Sequence, residues 1–443
     1  MLFSGLVFIF RFLPIFLFFY IVTPGKYRNF ILFVGSLIFY AVGEPVYVFL
    51  LLGELILNYV CYCGFIRNKR HFRLILPIVL DVAALVVFKY MLIPGLSMPL
   101  GISFYTFQLI AFLMDERKKA RKNPVRFLNF ATYIVMFPQL VAGPIVQFKE
   151  VHHELANNAF SWEKLEKGAR TFAIGLSFKV LLANQVGTLW NSVQTAGTVG
   201  LGFSNAWLGA VAYTFQIYFD FLGYSLMAIG LGRMLGFELP ENFREPYSAT
   251  SFSEFWRRWH VTLGRWFREY VYIPLGGSRK GTLRTILNLL VVWALTGIWH
   301  GAGWNFLLWG LGFFLLLVLE KFLYGRFLEK YKILGHLYVI LLLPVSWVIF
   351  GITDLSVLWD YLRCMIGMGD DRVFAGFSVF LRYMRSYAPL LMICLLFATP
   401  YPRRFWEKYK DKLWMSLLVI FFFCFSCYEI AIGSSNPFLY FRF

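Results

Sequence analysis

Two histidines mark the part of this sequence whose residue types best fit enzyme chemistry. His260 and His300 stand near the two ends of the run from Ser253 to Trp304, which begins basic and aromatic and continues as an apolar helix. Imidazole is the side chain that most readily moves protons near neutral pH. Because an ionisable side chain is costly at membrane depth, its presence in an apolar chain indicates a function, and proton transfer is the leading one.

The surroundings of His300 predict a break in a helix. The sequence TGIWHGAG places Gly297, Gly301 and Gly303 around a Trp–His pair, which is typical of a helix that ends, or is closely approached, within the membrane. A lone histidine on an apolar helix is more often packed than catalytic, but the glycine-rich break and the second histidine favour catalysis. Buried without a counter-charge, the ring would stay neutral and could take the proton of an alcohol that attacks a thioester.

The run from Phe252 to Tyr272 repeats aromatic residues at three- and four-residue spacing with arginines between them, which predicts an interfacial amphipathic helix. It could be a membrane anchor, or its basic edge could meet a phosphate-bearing acyl donor, and both interpretations stay open. A glycine-containing turn from Ile273 to Gly281 follows and adds further charge. The candidate donor-binding or tunnel-lining residues of this region are Trp256, Arg257, Arg258, Arg279, Lys280 and Trp299.

Other predicted spans also carry polar side chains, which either hydrogen-bond between helices or act in a relay. Packing is favoured for Glu54 and Asp81. Gln216 and Asp220, four residues apart in YTFQIYFDFLGYS, are candidates for lining a reaction tunnel, with structural support as the alternative for Asp220.

The composition is that of an integral membrane protein. Of the 443 residues, 59% are hydrophobic and 51 are phenylalanine, which is more than a soluble globule of this size can bury. The net charge of +18 is concentrated in short loops beside apolar runs, which indicates the positive-inside bias and no nucleic-acid partner. The six cysteines are expected to be buried thiols, without a disulfide framework or a metal site.

The apolar runs predict an all-α polytopic fold with roughly eleven or twelve transmembrane helices, at about 20 residues per span. The run 130–148 is expected to be re-entrant, so that the basic loops share the cytoplasmic face and the N-terminus lies outside. No repeat or linker divides the chain, which predicts one membrane domain over residues 1–443. The predicted spans are 2–23, 29–43, 46–66, 74–92, 99–114, 171–190, 207–231, 285–300, 304–323, 334–352, 387–400 and 414–433, and further helices are possible in 353–387.

Eight sequence blocks, in order from about residue 99 to the end, resemble the bacterial membrane-bound O-acyltransferases of the alginate O-acetyltransferase branch. They are PLGISFYTFQ, MFPQLVAGPI, QIYFDFLGYS, LPENFREPY, EFWRRWH, YVYIPLGGSRKG, LTGIWHGAGWNFLLWG and NPFLYFRF. The resemblance implies that His300 is the catalytic histidine and that His260 occupies a polar position that other branches fill with asparagine. It also implies a central tunnel, with interfacial and re-entrant helices around it, that joins a cytoplasmic acyl thioester to a hydroxyl acceptor outside.

The expected function is O-acetylation from the bacterial plasma (inner) membrane, with acetyl-CoA as donor substrate and no bound cofactor. His300 would be the general base, and His260 would orient or share the proton or stabilise the donor. The acceptor would be an exported cell-surface polysaccharide or an extracytoplasmic partner transferase. Two alternatives stay open. One is D-alanyl transfer from a carrier protein toward teichoic acid, which Leu226 after FDFLGYS favours, and the other is a transporter or flippase for a sugar-lipid.

Overall fold

The computed structural model describes residues 2–91, 97–119, 122–141, 143–157, 160–197, 201–369, 373–433 and 439. Over these ranges the chain forms helices and no strand, and every predicted span falls on a helix. The all-α prediction is therefore confirmed. The terminal block 436–443 lies outside the described residues apart from Leu439, as does position 142 of the MFPQLVAGPI block.

The helices follow one another with short connections. In chain order they are α1 Leu13–Val22, α2 Gly25–Gly43, α3 Tyr47–Asn68, α4 Phe72–Tyr90, α5 Ile102–Lys118, α6 Phe127–Val135, α7 Phe137–Leu140, α8 Phe148–Asn157, α9 Trp162–Ser177, α10 Asn184–Thr195, α11 Phe203–Met234, α12 Phe252–Arg258, α13 Val261–Phe267, α14 Thr282–His300, α15 Trp304–Leu319, α16 Gly325–Lys330, α17 Lys332–Gly351, α18 Leu355–Met365, α19 Val373–Phe397, α20 Tyr401–Tyr409 and α21 Leu413–Ala431. Wider π-helical turns occupy Phe8–Phe12, Phe178–Ala183, Arg268–Tyr272 and Glu320–Tyr324.

The chain divides into two compact units. The first comprises Met1–Leu176 and Tyr224–Glu241, and the second comprises Ser177–Gly223 and Asn242–Phe443. All the candidate active-site residues belong to the second unit. The expectation of one membrane domain stays a prediction.

Seven helices among the described residues are long and apolar enough to cross a membrane: Tyr47–Asn68, Trp162–Thr195, Thr282–His300, Trp304–Lys330, Lys332–Gly351, Phe377–Phe397 and Leu413–Ala431. Their outer faces expose large apolar side chains, such as Leu417 and Phe421 of α21. Because such faces would be costly in water, they form the lipid-facing surface of a polytopic membrane protein. The larger number of spans stays a prediction, since the other predicted spans lie on shorter or less apolar helices.

The predicted re-entrant run 130–148 lies in the first unit and is interrupted. α6 ends at Val135, α7 is a single turn, and the irregular backbone between them is buried. The Phe137 N–H donates to Ser36 Oγ over 3.1 Å, so protein groups satisfy this backbone, as membrane depth requires. The membrane face at which the run enters and leaves stays a prediction.

The polar residues of α3 and α4 form a hydrogen bond between helices. Asn58 Nδ2 donates to Asp81 Oδ1 over 3.0 Å, and to the Glu54 carbonyl oxygen over 2.8 Å. The packing role predicted for Asp81 is therefore confirmed.

The prediction of one helix from Phe252 to Tyr272 is wrong. α12 ends at Arg258 and α13 begins at Val261, because the His260 backbone adopts the left-handed conformation with φ +43°. The aromatic face is also buried in protein. Trp259, for example, packs with its ring centroid 4.9 Å from that of Trp347 on α17. Amphipathic periodicity predicts an apolar face but does not say whether lipid or protein covers it.

Two glycines bring α14 and α15 into backbone contact. A methyl group on Gly310 would lie 2.5 Å from the Trp293 carbonyl oxygen, and one on Gly297 would lie 2.5 Å from the Phe306 carbonyl oxygen. Small residues allow this approach between membrane helices. The close approach predicted from TGIWHGAG is confirmed.

Replacing Gly310 by alanine should destabilise this hairpin. The added methyl group cannot be accommodated without moving a backbone carbonyl, so the expected loss is about 1–3 kcal/mol in the free energy of unfolding. Thermal unfolding in detergent measures it. Gly312→Ala is the matched control, because a methyl group there meets nothing within 4 Å. The higher helix propensity of alanine should stabilise α15 slightly in this variant. Equal midpoints for the two variants would contradict the role of Gly310.

Candidate active site

His300 is the last residue of α14, and the chain turns directly after it. Gly301 continues in extended conformation, and a methyl group there would collide with the Phe306 ring of α15. The glycine therefore allows the turn to pass beneath an aromatic side chain. The hairpin fixes His300 at the C-terminal end of a helix.

Aromatic rings surround the His300 imidazole. Its ring centroid lies 4.7 Å from that of Trp299, 5.0 Å from Trp309 and 5.1 Å from Phe350, all with steeply inclined planes. Only 4% of the residue is exposed. The imidazole thus lies in an apolar setting that excludes bulk water.

His260 lies between α12 and α13 and is held by the preceding segment. Its Nδ1 is 3.0 Å from Asn242 Oδ1, and the Val261 N–H donates to the Asn242 carbonyl oxygen over 3.0 Å. A second backbone bond joins the Arg244 N–H to the Arg258 carbonyl oxygen over 2.9 Å. These contacts hold the left-handed conformation of His260, which costs free energy in a residue with a β-carbon.

The Asn242 amide determines the tautomer of His260. Asn242 Oδ1 also accepts a hydrogen bond from Thr262 Oγ1 over 2.9 Å. Because this oxygen is an acceptor, His260 Nδ1 must be the protonated nitrogen that donates to it. In the neutral ring, Nε2 is then the acceptor nitrogen. Burial lowers the pKa of His260 from 6.5 to about 3, so the ring is neutral at physiological pH.

The Trp299 ring lies near both histidines. Its ring centroid is 6.3 Å from that of His260 and 4.7 Å from that of His300. The structure therefore brings three predicted site residues, separated by up to 40 positions in sequence, into one aromatic cluster. Phe221 of α11 closes the other side of His260, with a ring-centroid distance of 4.7 Å.

Trp256 is adjacent to this cluster. Its ring is 5.6 Å from that of Trp309, which contacts His300, and 4.7 Å from that of Trp293. The neighbouring arginines make no described contact with the histidines. Arg257 is exposed. Arg258 forms an ion pair with Glu254, whose N–H donates to the N-cap residue Ser251 and whose carboxylate accepts from the Thr250 N–H.

Arg279 and Lys280 do not join the histidine cluster in any described contact. Both are exposed in the turn before α14, and the Lys280 side chain folds over Gly276. Their predicted role in donor binding stays a prediction.

Asp220 forms a buried ion pair that the sequence did not reveal. Lys179 Nζ lies 2.6 Å from Asp220 Oδ1, and each side chain is 2% exposed. Lys179 also donates to Asn184 Oδ1 over 2.6 Å, and Asp220 Oδ2 accepts from the Leu439 N–H over 2.9 Å. This network favours structural support for Asp220. Gln216, one turn earlier, packs against Gly187 of α10.

Three residues that contact the two histidines could not be identified from the sequence. Asn242 stands in the LPENFREPY block but gave no signal of its contact with a histidine 18 residues later. Trp309 and Phe350 lie in predicted apolar spans, where the sequence gives no signal of their contact with His300. Among the described residues, no group of three or more His, Cys, Asp or Glu side chains could hold a metal ion.

The arrangement holds two imidazoles in an apolar, water-poor setting, and the tunnel that would bring reactants to them stays a prediction. His260 is neutral, and a neutral imidazole can accept a proton from a hydroxyl. The aromatic walls strengthen electrostatic interactions and keep water from competing as a nucleophile. These are the properties that acyl transfer to an alcohol requires.

Comparison with known proteins agrees with this chemistry. The sequence model of the membrane-bound O-acyltransferase family, MBOAT, matches residues 56–358, which is more than half of the chain. The chain belongs to this family, and it is a membrane-bound O-acyltransferase with several membrane spans.

Its relatives include polysaccharide acetylases. The chain is 37% identical to the probable alginate O-acetylase AlgI of Pseudomonas putida, over 84% of this chain and 81% of that protein. It is 34% identical to a peptidoglycan O-acetyltransferase of Helicobacter pylori, over 83% of this chain and 80% of that protein. A teichoic acid D-alanyltransferase of Streptococcus thermophilus is more distant, at 28% identity over 48% of this chain and 54% of that protein.

Replacing Lys179 by methionine should leave the Asp220 carboxylate buried without its cation. A loss of about 3–5 kcal/mol in the free energy of unfolding is expected. The double variant Lys179→Met/Asp220→Asn removes both charges and should recover most of the thermal stability in detergent. If Asp220 only supports the structure, acyl transfer recovers with it. Recovery of stability without activity would show instead that Asp220 acts on the substrate.

The neutral state of His260 predicts sensitivity to acid. Between its ordinary pKa of 6.5 and its folded pKa of about 3, the unfolded chain binds a proton that the folded chain does not. The free energy of unfolding should therefore fall as the pH drops below 6.5, by up to about 1.4 kcal/mol per pH unit. Thermal unfolding at a series of pH values should show a shallower acid dependence for His260→Gln than for the native protein. Parallel curves would refute the prediction.

Proposed function

We propose that this enzyme moves acetyl groups from cytoplasmic acetyl-CoA to hydroxyls of an exported cell-surface polysaccharide, directly or through an extracytoplasmic partner transferase. The observation that supports it most is the pair of buried histidines whose rings both lie near that of Trp299. The names of relatives that act on alginate and peptidoglycan support acetyl as the acyl group. The proposed location is the bacterial plasma membrane, with the N-terminus outside.

His300 acts as the general base in this proposal. Its imidazole takes the proton of the acceptor hydroxyl as the oxygen attacks the thioester carbonyl carbon. The tetrahedral intermediate collapses, the C–S bond breaks, and the proton passes to the departing thiolate, which leaves an ester and a thiol. The C-terminal end of α14 stabilises the transient imidazolium by about 0.3–1 kcal/mol through the helix dipole.

His260 orients the reacting groups. With Nδ1–H held by Asn242, the acceptor nitrogen Nε2 can receive a hydrogen bond from the attacking hydroxyl or share its proton. The buried indole N–H of Trp309, which has no acceptor among the described residues, is a donor that could meet a carbonyl oxygen of the substrate.

D-alanyl transfer toward teichoic acid is the alternative within the family. The lower identity and partial coverage of the D-alanyltransferase relative make it less favoured. The two activities differ in their donors. Inside-out membrane vesicles supplied with radiolabelled acetyl-CoA, or with a radiolabelled D-alanyl carrier protein, separate them by the label that enters the acceptor.

Replacing His300 by alanine should reduce acetylation in these vesicles by on the order of 10²–10⁴-fold, because the general base is lost. The amount of the variant protein in the membrane should not change, and an immunoblot of the membrane fraction checks this. Acetyl transfer at the native rate in His300→Ala would refute the role.

Two further variants serve as controls for this experiment. His153→Ala removes an exposed histidine of α8 and should leave the rate unchanged. His260→Gln should cause a large but incomplete loss, since it removes orientation and not the base. Native turnover in His260→Gln would restrict His260 to a structural role.

A further inference from the structure

The first unit contains an open cavity of about 520 Å³ where α2, α6 and α8 meet. Its wall combines cationic, amide and apolar side chains. Lys26 and Asn29 come from α2, Arg126 and Asn129 from the start of α6, and His152 from α8. No carboxylate is among its described lining residues.

The cavity is electropositive. Lys26 and Arg126 are exposed, and neither forms an ion pair among the described residues. His152 holds its Nδ1 3.0 Å from the Lys149 carbonyl oxygen, so Nδ1 carries the proton. Two cations without an ion-pair partner, beside a cavity without a carboxylate, favour an anionic ligand.

The floor of the cavity offers hydrogen-bonding groups. Asn29 is buried, and its Nδ2 donates to the Leu155 carbonyl oxygen over 2.6 Å and to Asn129 Oδ1 over 3.2 Å. Its Oδ1 has no hydrogen-bond partner among the described residues. A buried acceptor without a partner indicates a ligand that brings its own donor, such as a hydroxyl.

The cavity lies where helices begin. The apolar helix Phe8–Val22 ends just before α2, and α2 starts at Gly25 with no side-chain cap on its first N–H groups. Aromatic residues adjacent in sequence to its lining residues are exposed, namely Tyr27, Phe30 and Phe127. Exposed aromatic rings next to cations are typical of the headgroup layer of a membrane.

We propose that this cavity binds the headgroup of an anionic phospholipid that carries a hydroxyl, as phosphatidylglycerol does. The phosphate lies between Lys26 and Arg126 near the open N-terminus of α2, which also favours an anion. The headgroup hydroxyl donates to Asn29 Oδ1, and the acyl chains lie along the exposed aromatic side chains.

Native mass spectrometry of the full-length protein in detergent tests this with dihexanoyl-phosphatidylglycerol as the probe. The double variant Lys26→Ala/Arg126→Ala should bind about 30-fold more weakly, at about 1 kcal/mol for each cation. Asn129→Asp keeps the acceptor for Asn29 but adds a negative charge, and should also weaken binding. Arg70→Ala removes an exposed cation that does not line the cavity, and should bind as the native protein does. Unchanged thermal midpoints confirm that the variants are folded.

Three ligands serve as comparisons. Dihexanoyl-phosphatidylcholine has the same chains without the net charge or the hydroxyl and should bind more weakly. Inorganic phosphate and coenzyme A test whether a soluble phosphate is the true ligand, and either one binding as tightly as the lipid would overturn the proposal. Equal binding of the two lipids, or full binding by the double variant, would overturn it as well.

Discussion

The contact between α14 and α15 at Gly297 and Gly310 is the constraint on which the second unit depends. Because the backbones touch there, the chain must turn sharply after His300, and Gly301 lets the turn pass under the Phe306 ring. The histidine therefore lies at a helix end and inside a ring of aromatic side chains. A wider hairpin would separate the imidazole from Trp309 on α15, whose ring now lies 5.0 Å away.

The other histidine is held by polar contacts in an otherwise aromatic interior. Asn242 holds the His260 ring and the backbone beside it, and the buried Glu320 carboxylate of the π-helical turn after α15 accepts the N–H groups of Phe252 and Ser253 at 2.6 and 2.8 Å. A carboxylate is costly to bury, but two charge-assisted bonds to the start of a helix offset much of that cost. α12 is thereby attached to α15, so that both sides of the aromatic cluster have fixed supports.

The helices could be predicted from the sequence, and the two histidines could be selected as candidates, because both signals are local. Apolar runs of the right length identify spans, and TGIWHGAG contains its own helix end. The break at His260 could not be predicted in this way, since it depends on Asn242, which lies 18 residues earlier in the irregular segment between α11 and α12. The same holds for Lys179 and Asp220. In the sequence, each is a polar residue in an apolar run. They form an ion pair only because α11 packs against the π-helical turn Phe178–Ala183 in the folded protein. The ion pair between Arg258 and Glu254 likewise distinguishes this arginine from its neighbours in a way that the sequence does not, and the donor-binding role of the arginines stays a prediction.

The left-handed backbone at His260 also limits which amino acids evolution can place there. Apart from glycine, residues that enter this conformation readily are few, and asparagine, aspartate and histidine are prominent among them. An exchange of imidazole for a carboxamide would keep the path of the chain, whereas valine or isoleucine would force the loop to rebuild. The asparagine that other branches are expected to carry at this position is thus admissible on conformational grounds, whatever chemistry it performs.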